Sequence, residues 1–174
     1  LIRELLARGE TCCPEVSREL IREQMLTGGT LLPWNNLEHF AQECARRMRQ
    51  QLAAAPADCR VFFDRGLPDV IGYLRRAGLE TSELADARAL YGPIVFFAPP
   101  WPAIYVNDPE RPQSYAESCE LSVHIRAAYL ELGFQIVELP RTAVGARADF
   151  IQNTLRHSRH GIHQPAGPCP APGR

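Results

Sequence analysis

The stretch from Cys59 to Gly66 constrains the fold more than any other. Three apolar residues, Val61, Phe62 and Phe63, run straight into Asp64 and Arg65, and Gly66-Leu67-Pro68-Asp69 turns the chain at once into an amphipathic segment. Such a run is too short for a helix and has the β-branched and aromatic content of a buried strand. It delivers a carboxylate and a guanidinium to the strand's carboxyl end, the edge where open parallel α/β sheets bind ligands. There Asp64 can hold a magnesium ion or accept a proton, and Arg65 can grip phosphate oxygens. Equally, Asp64 can do no more than cap the helix that follows.

Two further strands follow the same plan. Pro93 to Ala98 leads into the proline-rich Pro99-Pro100-Trp101-Pro102, and Phe134 to Pro140 leads into a loop from Arg141 to Gly145. A shorter extended stretch, Thr11 to Val16, contains Pro14, which argues against a central strand continuing through it. Between the strands lie helical patterns: Leu1 to Arg8, Ser17 to Leu26, Asn36 to Leu52, Leu67 to Ala77, Ser82 to Leu90, Ser114 to Leu132, and a last helix ending near Leu155. Strands alternating with helices predict a parallel sheet covered by helices on both faces. One domain over residues 1–155 and a Gly-, Pro- and His-rich disordered tail over 156–174 are expected. His157, His160 and His163 are evenly spaced, yet in such a tail the spacing carries little metal signal.

Composition removes several functions. A net charge of −1 supplies no long-range attraction to nucleic acid or anionic membrane. All 19 basic residues are arginine, so no mechanism that needs a lysine from these residues applies. The six cysteines show no C-x-x-C pair, which fits reduced thiols and a cytoplasmic location. No apolar run is long enough to span a bilayer. Gly28-Gly29 follows a helix and lacks the G-x-x-x-x-G-K-[ST] pattern of a phosphate loop.

Taken in order, PEVSRE, FFDRG, FFAPPW with NDPERPQS, and VELPR resemble the AAA-type P-loop NTPase domains, the family that includes the ribosylnicotinamide kinase domain of NadR. The resemblance runs to about residue 153. It implies a three-layer P-loop kinase-like sheet, ATP and Mg2+ as cofactors, and phosphoryl transfer from ATP to a nucleoside-like hydroxyl acceptor. The alternative is a nucleotide-binding regulatory module without turnover. In that family a strand and a G-x-x-x-x-G-K-[ST] loop precede a helix resembling Leu1 to Arg8, and neither is found in these 174 residues. The expectation is therefore a domain lacking its first strand and phosphate loop, with a gap in the sheet between Asp64 and Pro93 and little activity or stability of its own.

By the same resemblance Asp64 is the magnesium-organising or proton-accepting acid, with Arg65 beside it. Glu15 is expected to receive the acceptor's hydroxyl proton, and Arg18 to bind the acceptor; Glu15 can also be a carboxylate stabilised by its helix dipole. Trp34 can stack on an acceptor ring or simply pack. Arg111 resembles a lid arginine that closes over transferring phosphate, and Arg141 to Gly145 resembles the segment that contacts adenine.

Overall fold

A computed structural model describes residues 1–158. Seven α-helices and four strands follow in the order α1 (Ile2–Ala7), β1 (Thr11–Cys13), α2 (Val16–Thr27), α3 (Leu37–Ala54), β2 (Val61–Phe63), α4 (Leu67–Arg76), α5 (Ala87–Leu90), β3 (Ile94–Phe97), α6 (Tyr115–Glu131), β4 (Gln135–Glu138) and α7 (Val144–Ser158). His157 lies in α7 with Nδ1 against the Asn153 carbonyl at 2.7 Å. His160, His163 and Cys169, and most of the tail, lie outside the described residues.

Local chemistry accounts for the helix limits. The Asn36 side chain accepts the His39 amide at 3.1 Å, and Phe40, Cys44 and Met48 then bury one face of α3 at four-residue spacing. Ser114 and Glu117 form a reciprocal capping box at the start of α6. Glycines with left-handed backbone close α2 at Gly28 and follow α4 and α6 at Gly78 and Gly133. Residues 82–90, expected as one helix, form a 3-10 turn over Ser82–Leu84 and then the single turn of α5. An i→i+3 bond from the Ala85 amide to the Ser82 carbonyl tightens the first turn and interrupts the α register.

The strands pair in parallel, but as two separate ladders. β1 lies beside β2 with Cys12 opposite Phe62, and the Asp64 amide extends that ladder to the Cys13 carbonyl at 3.1 Å. β3 lies beside β4 with Val95 opposite Ile136, and the ladder is extended at both ends by Gln135 to Pro93 and Leu139 to Phe97, each 2.8 Å. No described strand bonds to both β2 and β3. Each therefore keeps one edge outside any ladder, and every residue of β1, β2 and β3 is half-buried where full burial is expected for the strand of a continuous sheet.

Apolar packing ties the two ladders together. Phe62 of β2 and Phe96 of β3 share a cluster with Leu5 of α1, Leu139, and Ala148 and Ile151 of α7. α2, α3 and α4 meet in a second cluster around Leu20, Cys44, Leu67 and Ile71. A third joins Leu121, Ile125 and Tyr129 of α6 to Val95, Phe97 and Ile136. α4 and α6 approach so closely that a Cβ on Gly72 would stand 2.7 Å from the Ile125 Cα.

Candidate functional site at the strand ends

The turn after β2 is held from below. Asp69, only 9 % exposed, accepts the Gly66 amide at 3.0 Å and the Tyr129 hydroxyl at 2.7 Å on the same Oδ2. The Leu67 amide donates to the Tyr91 hydroxyl at 3.2 Å, and the Tyr91 ring stands edge-on to Phe63. These contacts pin a strained residue: Arg65 has φ 72°, the only non-glycine with positive φ among the described residues. That conformation costs about 1–3 kcal/mol and persists only where the surroundings impose it.

After the turn, Arg65 pairs with Glu15 and Asp69. Its Nε donates to Glu15 Oε1 at 2.8 Å, and Nη1 lies 3.6 Å from Asp69 Oδ1. Asp64 makes no side-chain hydrogen bond or ion pair with the described residues. Burial, and then the Glu15 carboxylate, raise its pKa above the ordinary aspartate value; Arg65 opposes this and Asp69 adds to it. A half-buried acid short of positive charge is a fitting ligand for a hard cation. Among the described residues no three His, Cys, Asp or Glu side chains converge on a metal position. Magnesium does not require three, because it commonly takes one or two carboxylates and completes its shell with water and phosphate oxygens.

Glu15 is in the opposite state. Burial pushes its pKa up, but Arg65, the Ser17 hydroxyl at 2.8 Å and Arg18 outweigh it and hold the carboxyl below its usual range. Both of its hydrogen bonds fall on Oε1, and the lowered pKa makes it a weaker base than an ordinary glutamate. Arg18 faces outward from it: Nε is 3.7 Å from Glu15 Oε2, while Nη1 meets Asp108 Oδ2 at 3.1 Å and Glu110 Oε2 at 3.0 Å. Arg22 grips the same Glu110 with two bonds. The long loop after β3, residues 98–114, is thus strapped across α2 at the end where Glu15 and Asp64 lie.

The other expected residues are engaged elsewhere. Arg111 stays within the strap, its Nη2 on the Val106 carbonyl at 2.8 Å and its guanidinium over the Tyr105 ring, and no bond takes it to Asp64 or Glu15. Arg141 donates to the Pro100 carbonyl at 3.1 Å. Gly145, expected in a loop, belongs to the first turn of α7, where its carbonyl accepts Arg8 Nη2 at 3.1 Å. Trp34 is 47 % exposed, on the loop before α3. A shallow hollow of about 570 Å3 opens on α7 between Phe150, Asn153, Thr154 and His157, lined by none of these residues.

Asp69, Tyr129, Arg22, Asp108 and Glu110 complete the site and were not singled out in the sequence. An acid three residues after Gly66, beside Pro68, is a helix-start signal that pointed to Asp69. Nothing local marks Tyr129, which arrives from 60 residues away.

A family model described as an AAA domain matches residues 1–147. No match is found among curated proteins or among solved structures.

Proposed function

From the membership of this chain in the AAA-type P-loop NTPase family, we propose that it carries the metal-side half of a nucleotide site, in which Asp64 organises Mg2+ for phosphoryl transfer from ATP to a nucleoside-like hydroxyl acceptor. The observation that carries this reading is the Asp64 carboxyl: half-buried, raised by burial and neighbouring acids, and unpaired at the carboxyl end of a parallel ladder. Bound magnesium would neutralise charge developing on the transferring phosphate.

The remaining roles follow from the contacts. Glu15 holds Arg65 in place through Oε1, which also takes the Ser17 hydroxyl, while Oε2 has, among the described residues, only the Arg18 guanidinium near it and remains open to an acceptor's proton. Asp69 and Tyr129 keep the Asp64–Gly66 turn rigid. Trp34 is available to an acceptor ring only by virtue of its exposure. Arg111, Arg141 and Gly145 reach a ligand only if the strap and the loop before α7 rearrange.

The separation of β2 from β3 supports a further part of the reading. A parallel strand inserted between the two ladders would satisfy both unpaired edges and make one five-stranded sheet. A phosphate loop following that strand would lead into the amino end of α1. Tests therefore use the chain carrying a strand and a G-x-x-x-x-G-K-[ST] loop ahead of Leu1. Asp64→Asn should abolish phosphoryl transfer to nucleoside acceptors while Glu15→Gln reduces it less. Nucleotide binding with no transfer in any variant, wild type included, would favour the regulatory module and defeat the kinase reading.

A further inference from the structure

Arg18 and Arg22 lie one helical turn apart on α2 and converge on one carboxylate. Arg22 Nε reaches Glu110 Oε1 at 2.9 Å and Nη2 reaches Oε2 at 3.1 Å, a two-pronged grip. Arg18 Nη1 adds a third bond to Glu110 Oε2 at 3.0 Å and a fourth to Asp108 Oδ2 at 3.1 Å. The strap is shaped to present those two acids. The Arg111 amide closes a tight turn on the Asp108 carbonyl at 2.9 Å, Pro109 occupies its second position, and Asp108 Oδ1 takes the Glu110 amide at 2.9 Å.

Two guanidiniums therefore bind two carboxylates, with four hydrogen bonds and a total charge of −2 on the acceptor side. A phosphate monoester dianion has the same charge and three terminal oxygens for the same donors. The planar guanidinium fork reads carboxylate and phosphate in one geometry. Arg22 is more than half exposed, so its ion pair exchanges readily with a competing anion. Arg18 also adjoins Glu15, which places the fork next to the Asp64 turn.

We propose that Arg18 and Arg22 form a binding site for a phosphoryl dianion, closed in this structure by Glu110 and Asp108, so that anion binding and strap closure exclude each other. The strap acids occupy the site as an internal substitute for the ligand. The phosphoryl-transfer reading is needed only for the source of the anion, a phosphorylated acceptor; the fork itself rests on the contacts above.

The test titrates the 174-residue chain in low-chloride buffer with inorganic phosphate, with a nucleoside monophosphate and with acetate, followed by 31P or 13C line shifts. Glu110→Gln is expected to tighten inorganic phosphate binding at least tenfold and to speed proteolysis of residues 98–114, with unchanged circular dichroism. The gain disappears in Glu110→Gln combined with Arg22→Met. A stronger gain for the nucleoside monophosphate identifies an ester as the ligand, and equal gains identify free phosphate. Asp108→Asn supplies the same comparison should the first variant not fold. A strap that loosens without any gain in phosphate affinity overturns the proposal, as does a gain that survives Arg22→Met or is matched by acetate. No nucleotide triphosphate enters this titration, so its failure is separable from that of the phosphoryl-transfer reading.

Discussion

At the scale of single residues, Asp64 and Asp69 show how neighbours divide two acids five positions apart into different tasks. Asp69 is buried with donors on it; Asp64 is half-buried with none. Tyr129→Phe removes a hydrogen bond to a charged acceptor and should cost about 1.5–3 kcal/mol in urea unfolding, without changing the dependence on urea. Asp64→Asn removes a carboxyl that burial disfavours, and should leave stability unchanged or raise it. A loss above about 1 kcal/mol for Asp64→Asn, the scale of one net hydrogen bond, would show that the carboxylate has a structural partner. The position of Asp64 at the carboxyl end of a parallel strand was legible in the sequence, because a short apolar run ending in an acid marks it locally. Arg65 was only half legible: its pairing with Glu15 depends on a left-handed backbone that a non-glycine residue does not advertise.

At the scale of elements, the α4–α6 contact and the strap give separate predictions. Gly72→Ala places a methyl against the backbone of Ile125, which cannot give way as a side-chain tip can. A destabilisation of about 1–3 kcal/mol is expected from overpacking, read as a shift in the unfolding midpoint. The strap is electrostatic. Arg22 holds the Glu110 carboxyl below its usual range; Asp108 is raised by burial, but Arg18, the Glu110 amide and Arg111 together lower it. Depressed carboxylates contribute above their ordinary pKa of about 4 and are lost as pH falls through the lower folded values. In a Trp34→Phe background, Trp101 emission should therefore report release of the strap below about pH 4, before helical circular dichroism is lost. Wild type and Glu110→Gln should differ above that point; identical profiles would rule out the latch. Helices were readable because caps and four-residue spacing are local. The latch was not, since residues 18 and 110 meet only through tertiary folding. Gly145 was misplaced because an amphipathic pattern starting with Val144 carries no strong cap.

At the scale of the whole molecule, the alternation of strand and helix predicted parallel pairing, and both ladders are parallel. The break between β2 and β3 falls where the family resemblance placed a gap, between Asp64 and Pro93, and no described strand pairs with both remaining edges. Amides of β2 and β3 should exchange with solvent faster than those of α3 and α4, whose cluster is fully buried. Supplying a strand and phosphate loop ahead of Leu1 should slow that exchange selectively. The most direct measurement is calorimetric titration of this extended chain with ATP, with and without Mg2+, in wild type and Asp64→Asn. Mg2+ should strengthen ATP binding to wild type at least tenfold and have little effect in the variant. An equal Mg2+ enhancement in both proteins would contradict the assignment of Asp64 as the metal-side acid.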